Sequence, residues 1–236
     1  MNREELSSLA NIEENHWWFK ERRELLRDWA QIFPISSKFL DIGAGAGRQS
    51  VLLRDELGMR VTAIELSDFG VASCIQNGVN VIQASATKLP LSPESYDAIV
   101  AMDVLEHIED DVETLNEMVR VLKPSGYVYI TVPAFPFMWS SHDVAVDHVR
   151  RYRKSDLAEK IENSKLSIVS LRYWNSLLFP LAIINRILFK TSDELTLPPN
   201  VMNLLLTRVI TLERNNRIVG SLPGTSMIVI ARKQII

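Results

Sequence analysis

The sequence has a single cysteine and no excess of charge of either sign. Cys74 alone can form neither an intramolecular disulfide nor a cysteine-based zinc site, so a reducing, cytoplasmic environment is expected. The 26 basic and 29 acidic residues give a formal net charge of −3, and we therefore expect no nucleic-acid partner. With 47% hydrophobic and 23% charged residues, the composition is that of a globular chain and excludes a disordered one.

Long apolar runs are also missing. The most apolar segment, residues 174–189, is interrupted by two asparagines, Pro180 and Arg186, and is shorter than the roughly 20 residues that cross a bilayer. The first 14 residues contain no basic region followed by an apolar stretch. We therefore expect neither a transmembrane segment nor a secretory signal. A length of 236 residues allows one elaborated domain with a full core.

The middle of the chain alternates short β-rich runs with helical patterns, which is typical of a parallel sheet with crossover helices. Seven strands are predicted, at Lys38–Ile42, Arg60–Glu65, Val79–Gln83, Tyr96–Met102, Tyr127–Val132, Lys165–Tyr173 and Ser226–Arg232. The helices between the first five strands start at the Gly43–Gly47 turn, at Ser67 or Asp68, and at Asp110 or Asp111. They are expected to end at Gly58, at Gly78 and before Pro124.

Two segments outside this alternation are expected to cover the working edge of the sheet. The first is residues 1–33; the second, residues 176–220, contains Leu177, Leu181, Ile184 and Leu188 at helical spacing and a later helix opened by Asn200. This apolar stripe fits core or dimer packing better than a lipid acceptor or a peripheral membrane contact. Because no Gly/Ser-rich linker bounds either segment, we predict a single domain over residues 1–236, monomeric or homodimeric. Its parts are an N-terminal helical cap (1–33), a cofactor-binding core (34–138) and a substrate-side segment (139–236).

The most informative segment is the glycine-rich turn that follows the first strand, Asp41 to Gly47. A buried strand runs directly into this turn, which opens a helix, so backbone N–H groups can face an anionic ligand. Glu65, at the end of the second strand, is placed to accept hydrogen bonds from the ribose hydroxyls of an adenosine-containing ligand. Arg48 occupies the position where a dinucleotide fingerprint has its third glycine, and no Gly-Lys-Ser/Thr follows. Both NAD and nucleoside triphosphates are therefore disfavoured.

These residues resemble the class I S-adenosylmethionine-dependent methyltransferases. The family motif E/D-x-G-x-G-x-G matches Asp41–Gly47, the acid of the second strand matches Glu65, and the similarity continues through Ala84–Leu91, Tyr96–Val100, Asp103–Ile108 and Leu122–Gly126. The resemblance implies an α/β fold with a Rossmann-like, doubly wound, mostly parallel seven-stranded sheet, an antiparallel C-terminal strand and helical cap elements. It also implies an enzyme that uses S-adenosyl-L-methionine, releases S-adenosyl-L-homocysteine, and methylates an oxygen, nitrogen or carbon of a small-molecule acceptor. An anionic or a lipid-linked acceptor is one option, because the chain also has a basic cluster and an apolar stripe.

The resemblance also implies which residues contact the cofactor. It assigns Asp41, Gly43, Ala44, Gly45 and Gly47 to the methionine end, Glu65 to the ribose, Leu66, Ser85 and Ala86 to the adenine, and Met102 and Asp103 to the pocket wall. Ser85 stands where the family often has an aspartate that receives the adenine amino group. Since a serine hydroxyl is uncharged but can accept one hydrogen bond, adenine contact at this position is still expected.

The flanks show a second, looser similarity to a bacterial subgroup of small-molecule methyltransferases, at Glu13–Phe19 and at His148–Tyr152. The predicted substrate contacts lie in these two segments: His16, Trp17, Trp18, Arg150, Arg151 and Tyr152. With Arg153 and Lys154, the two arginines form a basic cluster that suits a phosphate or carboxylate on the acceptor and equally suits a solvated helix entry.

Histidines are the candidates for a general base, because their ordinary pKa lies nearest neutrality. His148 is the first choice and His142 the second, since both follow the fifth strand on the side where parallel sheets bind ligands. For His107 a structural role is favoured. No metal is predicted. Two alternatives stay open: a catalytically silent binding or scaffold protein with the methyltransferase fold and, more distantly, a NAD-dependent oxidoreductase.

Overall fold

The computed structural model describes residues 12–184, 197–216 and 219–235. Their strands are β1 (Lys38–Ile42), β2 (Arg60–Glu65), β3 (Val81–Gln83), β4 (Tyr96–Met102), β5 (Leu122–Pro133), β6 (Leu166–Trp174) and β7 (Ser226–Lys233). They form one sheet in the order β3-β2-β1-β4-β5-β7-β6. The first five strands are parallel, whereas β7 runs antiparallel to both β5 and β6. The predicted Rossmann-like sheet is confirmed, including its antiparallel C-terminal strand.

Helices cover both faces of this sheet. They are α1 (Trp17–Ala30), α2 (Arg48–Val51), α3 (Asp68–Gln76), α4 (Asp111–Val121), α5 (Ser141–Ala145), α6 (Lys154–Asn163), α7 (Phe179–Ile184) and α8 (Asn200–Arg214). A π-helical turn, Leu52–Glu56, continues α2. The predicted caps are present, since the Ser67 hydroxyl accepts from the Gly70 N–H and the Asp110 carboxylate accepts from the Glu113 N–H.

The central strand β4 is buried on both sides, as expected for a parallel strand between two helical layers. Its Ile99 and Ala101 pack with residues of α4 and α6 in one hydrophobic cluster. Its Ala98, Val100 and Met102 face the opposite cluster, which contains residues of α1, the π-helical turn and α8. The side-chain alternation of a single strand therefore joins the two halves of the core.

Helix α1 of the N-terminal segment forms part of this core, in addition to lying near the sheet edge. In α1, Leu25, Leu26 and Trp29 are buried against the sheet, and the Trp29 ring lies 5.1 Å from that of Tyr129 in β5. The C-terminal helix α8 packs beside α1 on the same face. Only the first turns of α1 reach the carboxyl edge of the strands.

Two strands, β5 and β3, begin two or more residues away from the predicted position, and each shift has a local reason. Strand β5 begins at Leu122, which pairs with Tyr96 before a bulge, and regular pairing resumes between Ala98 and Tyr127. The bulge accommodates the proline and glycine that the prediction treated as a loop. Strand β3 begins at Val81 because the Val79 N–H instead bonds to the carbonyl of Cys74 at the end of α3.

The apolar stripe predicted after residue 176 is described only in part. Leu177, Leu181 and Ile184 are partly exposed, and Leu188 lies outside the described residues. Across the described ranges, every helix is too short or too polar to cross a bilayer.

Truncating one buried side chain of α1 tests its role in the core. Leu26 is fully buried, so Leu26→Ala should lower the free energy of unfolding by about 2–5 kcal/mol in urea titrations. Ile32, just beyond the same helix, is 66% exposed. Ile32→Ala should therefore change the free energy of unfolding by no more than about 0.5 kcal/mol. Equal effects of the two variants would contradict the packing of α1 on the sheet.

Candidate functional site

Three strand ends meet at the point where the strand order reverses. Strand β1 lies between β2 and β4, and its chain continues into the glycine-rich turn. The N–H groups of Gly43 and Ala44 both donate to the carbonyl of Ile64 in β2, at 2.8 and 3.2 Å. Open α/β sheets form their ligand crevice at such a switch point, beyond the carboxyl ends of the strands.

The glycine-rich turn is closed on its inner side and open on its outer side. Gly43 has φ +68°, and a Cβ atom there would lie 2.5 Å from the Val104 side chain. Gly45 has φ +53°, but a Cβ atom there would meet no described atom within 4 Å. A ligand can therefore approach the backbone at Gly45, while Gly43 lets the turn pack against the end of β4.

Asp41 holds the base of this turn from inside the protein. Its carboxylate is 2% exposed and accepts a 2.6 Å hydrogen bond from the Ser50 hydroxyl in α2. Burial raises the pKa of Asp41 to about 6, although the Ser50 hydrogen bond favours the ionised form. This contact ties the end of β1 to the helix that follows the turn.

Glu65 connects the turn to the end of β2. Its carboxylate accepts from the Gly45 N–H at 2.8 Å, from the Ser67 N–H at 2.9 Å and from the Ser67 hydroxyl at 2.8 Å. Leu66 follows, with 67% of its surface exposed. Glu65 thus lies at the rim of the crevice, with an apolar surface next to it.

The loop after β3 lies against the same rim. The Ala84 N–H donates to the Glu65 carbonyl at 3.2 Å, and the hydroxyls of Ser85 and Thr87 are 2.8 Å apart. Ser85 and Ala86 are both half-buried. The structure therefore brings all the predicted cofactor residues of the first three strands to one edge; their contacts with a cofactor stay predictions.

Asp103, just after β4, is held by both a strand and α1. Its backbone is left-handed at φ +55°, and its side chain accepts from the Thr131 hydroxyl at 3.1 Å. The Arg22 guanidinium lies 2.7 Å from the other carboxylate oxygen, and it stacks 4.4 Å from the centre of the Trp18 ring. Met102, the preceding predicted wall residue, is buried. An ion pair thus anchors α1 at the crevice.

On the other side of Asp103, the loop after β5 contributes a buried carboxylate and a histidine. Asp143 accepts from His148 Nδ1 at 2.9 Å, from Arg151 Nε at 2.7 Å and from the Ser140 N–H at 2.8 Å. Burial opposes ionisation of Asp143, but the His148 hydrogen bond and the Arg151 charge hold its pKa well below its usual range. His148 is therefore fixed through its Nδ1 nitrogen. The half-buried His142 has its ring centre 6.4 Å from that of His148.

The opposite nitrogen of His148 faces Glu106, in the short helical turn Leu105–His107. Glu106 is fully buried, and its Oε1 lies 3.9 Å from His148 Nε2, beyond hydrogen-bonding distance. Burial, together with the nearby Asp103 charge, raises the pKa of Glu106 well above its ordinary value. His107 packs edge-on against His148, with ring centres 4.7 Å apart. Burial, and to a lesser extent the proximity of His148, lowers the pKa of His107.

The predicted N-terminal substrate residues pack at the start of α1. His16 Nδ1 accepts from the Trp18 N–H at 3.2 Å, and the Trp17 N–H donates to the side chain of Asn203 in α8. The Trp18 ring lies 5.8 Å from that of Trp174 at the end of β6. These contacts join α1, α8 and β6, and a contact with substrate stays a prediction for the three residues.

The predicted basic cluster has internal partners. Arg150 lies 2.8 Å from the Asp111 carboxylate, and the buried Tyr152 hydroxyl donates to that carboxylate at 2.7 Å. Arg151 is held by Asp143 and by the carbonyl of Ala134. The structure therefore uses all three side chains to fasten the loop after β5, and their predicted role in substrate binding stays untested.

Sequence reasoning did not assign a role to Arg22, Glu106 or Asp143. Arg22 interrupts the apolar face of α1, which marks it as a buried cation. Asp143 completes a capping box with Ser140, a pattern readable as Ser-x-x-Asp. Glu106 lies within the segment Asp103–Ile108 that resembles the family, but its proximity to His148 depends on how two distant loops dock.

Comparison with known proteins agrees with this geometry. Residues 40–130 match the family model described as "Methyltransferase domain". A "probable S-adenosylmethionine-dependent methyltransferase" of Mycolicibacterium smegmatis is 24% identical over 165 residues, covering 68% of this chain and 63% of the relative. A ubiquinone biosynthesis O-methyltransferase of Xanthomonas axonopodis is 28% identical over 130 residues, covering 52% and 54%. The chain thus spans less than two thirds of the length of these curated relatives.

The fold has a solved counterpart with the cofactor bound. Phosphoethanolamine N-methyltransferase 2 of Haemonchus contortus, in complex with S-adenosyl-L-methionine, is 17% identical, with a TM-score of 0.62 over 90% of this chain and 52% of that one. The strand order and the glycine-rich turn agree with the match of residues 40–130 to a methyltransferase domain and with the similarity to S-adenosylmethionine-dependent methyltransferases. These similarities confirm the predicted resemblance to the class I S-adenosylmethionine-dependent methyltransferases.

Because Asp41 is buried and its pKa is raised, the folding stability of the protein should depend on pH. The pKa of Asp41 is about 6 in the folded protein, against an ordinary 3.8, so folding stability is lost as pH rises from below 4 through 6. Asp41→Asn keeps an oxygen that can accept from Ser50 but does not titrate. The free energy of unfolding of Asp41→Asn minus that of wild type should be roughly 2–3 kcal/mol larger at pH 7 than at pH 4. Denaturant titrations across this range measure the difference, and a pH-independent one would contradict the assignment.

Proposed function

We propose that the protein transfers the methyl group of S-adenosyl-L-methionine to an oxygen, nitrogen or carbon of a small-molecule acceptor. The observation that carries this proposal is the convergence of the open glycine-rich turn and the Glu65 carboxylate at the switch point between β1 and β4. An N–H-rich turn suits the charged methionine end of the cofactor, and a carboxylate suits its ribose.

The cofactor supplies an activated methyl group on a positively charged sulfur, so the chain has to position rather than activate it. Glu65 would accept hydrogen bonds from the ribose in place of its present bond with the Gly45 N–H. The exposed Leu66 offers an apolar surface for the adenine, with Ser85 and Ala86 across the rim. Met102 and Asp103 would close the end of the crevice towards the acceptor.

Several cations near the turn support an anionic acceptor. Arg48 opens α2, and the charges of Arg48, Arg22 and Arg23 all act on Glu13, whose pKa is raised by burial against their opposing effect. The Arg48 Nε is buried and has no hydrogen-bond partner among the described residues. An unpaired buried donor of this kind favours a ligand with a carboxylate or phosphate.

The class of acceptor has two further supports. Phe137, Trp139 and Leu181 are exposed on segments that follow the carboxyl ends of β5 and β6, which suits an acceptor with an apolar or lipid-linked part. One relative is named as an O-methyltransferase of ubiquinone biosynthesis, which favours an oxygen acceptor. The predicted base His148 lies on this side of the site, oriented by Asp143.

Cofactor binding by Glu65 variants tests the ribose assignment. In calorimetric titrations of the full chain, Glu65→Ala should weaken binding of S-adenosyl-L-homocysteine by about 10- to 100-fold, the typical value of hydrogen bonds to a charged group. Glu65→Gln keeps one acceptor oxygen and should lose less. Glu162→Ala, an exposed acid on α6, should bind as wild type does. Unchanged affinity of the Glu65 variants would contradict the ribose assignment.

Transfer itself requires a separate measurement. Incubating the protein with radiolabelled S-adenosyl-L-methionine and a fractionated small-molecule extract should label an organic-soluble or anionic product, and heat-denatured protein should not. If the protein binds the cofactor but labels nothing across aqueous and organic fractions, the silent scaffold becomes the better explanation.

A further inference from the structure

Three potential metal ligands converge beside Asp103. One ligand atom from each of Glu106, His107 and His148 lies within 4.8 Å of the other two. Two come from the turn after β4 and one from the loop after β5. Backbone hydrogen bonds hold these segments together, because the Val149 N–H donates to the Glu106 carbonyl at 2.7 Å. The cluster is therefore built by the fold and is not a chance meeting of mobile surface side chains.

We propose that Glu106, His107 and His148 bind a divalent transition-metal ion that holds and activates an oxygen acceptor. Binding of the ion stands on the cluster alone, whereas its role with the acceptor rests on the proposed function. No metal is predicted from the sequence, because these ligands lie on separate loops and include no cysteine.

Glu106 gives the first argument, since a buried carboxylate needs a partner. Its side chain is fully buried, and neither oxygen has a hydrogen-bond partner in another described residue. Buried polar groups are nearly always satisfied, and an isolated buried carboxylate is costly. A cation between Glu106 and His148 would supply the missing interaction for both oxygens.

The two histidines give the second argument, because each has one nitrogen occupied by an acceptor. His148 Nδ1 lies 2.9 Å from Asp143 Oδ1, and His107 Nδ1 lies 3.3 Å from the carbonyl oxygen of Asp147. A carbonyl oxygen and an ionised carboxylate can only accept, so on neutral rings both Nδ1 atoms carry the proton. Each Nε2 then keeps its lone pair. Metal-binding histidines show this pattern, with the other ring nitrogen bound to a carboxylate or carbonyl.

The spacing shows what binding would change. Ligands about 2.1 Å from one ion at tetrahedral or octahedral angles are roughly 3.0–3.4 Å apart. The ligand atoms lie within 4.8 Å of one another, and Glu106 Oε1 is 3.9 Å from His148 Nε2, so the side chains must draw inward when an ion binds. His107 is exposed and can turn towards the other two, whereas His148 is fixed by Asp143.

The ligand set favours particular ions. Two imidazoles and one carboxylate suit Zn²⁺, Fe²⁺ or Co²⁺ better than Mg²⁺, which prefers oxygen ligands. Three protein ligands leave positions open, and the exposed His107 places them towards solvent. Asp103 adds negative charge on the same side, although Arg22 pairs with it at 2.7 Å.

An ion at this place would change how the acceptor is activated. A bound metal ion lowers the pKa of a coordinated hydroxyl, so the acceptor loses its proton to water near neutral pH. The freed oxygen lone pair then forms the O–CH3 bond, while the electron pair of the broken S–CH3 bond remains on sulfur. Since Nε2 of His148 cannot hold both an ion and a proton, this inference gives His148 the role of a ligand in place of a base.

Metal titration of the full chain tests the inference. After treatment with a chelator, wild-type protein should bind one Zn²⁺ per chain in calorimetry, and Co²⁺ should give the visible absorption bands of a site with nitrogen ligands. His107→Ala and Glu106→Gln should each weaken Zn²⁺ binding at least about tenfold and alter the Co²⁺ spectrum. His142→Ala, which removes a nearby histidine outside the ligand set, should leave both unchanged.

Titration of each variant with S-adenosyl-L-homocysteine separates folding and cofactor binding from metal binding. Glu106→Gln and His107→Ala should keep the cofactor affinity, because neither residue is among those predicted to contact the cofactor. Wild-type protein that binds the cofactor but neither Zn²⁺ nor Co²⁺ would overturn the inference and leave the proposed function standing. Equal Zn²⁺ binding by wild type, His107→Ala and Glu106→Gln would also overturn it.

Discussion

Parallel pairing of β1 with both β2 and β4 is the constraint on which the candidate site depends. It aligns the carboxyl ends of three strands, so the glycine-rich turn, Glu65 and Asp103 reach one edge of the sheet. Gly43 then permits the close packing of the turn against Val104, and the Asp41–Ser50 hydrogen bond secures it from below. Without this pairing, the residues that line the crevice would no longer lie close together.

The helix α1 extends this constraint to the chain's N-terminal part. Its apolar face packs on the sheet, and the pair between Arg22 and Asp103 fixes its first turns beside the crevice. A buried ion pair of this kind is weak evidence for stability, since removing the charges from water is costly. Its position suggests a structural reason for keeping it, because it sets where α1 meets the ligand edge.

The sequence predicted those parts of the fold that depend on local patterns. Strand β4 and the turn at Gly43–Gly47 could be located because apolar runs, glycines and caps are local signals, and Glu65 followed from the end of its strand. Strand β5 was predicted too short because pairing across a bulge overrides the local effect of Pro124. The cluster of Glu106, Asp143 and His148 could not be predicted, because it depends on the docking of two loops and on burial that no local pattern encodes.

Dinucleotide-binding enzymes share the order of the first five strands of this sheet, so the location and identity of the ligand decide between the two functions. The most direct test is a crystal structure of the full chain with S-adenosyl-L-homocysteine. The account predicts the ligand in the crevice at the ends of β1, β2 and β4, with its ribose hydroxyls on Glu65 and its amino-acid end at the turn around Gly45. A ligand bound elsewhere, or a ribose that does not contact Glu65, would contradict it.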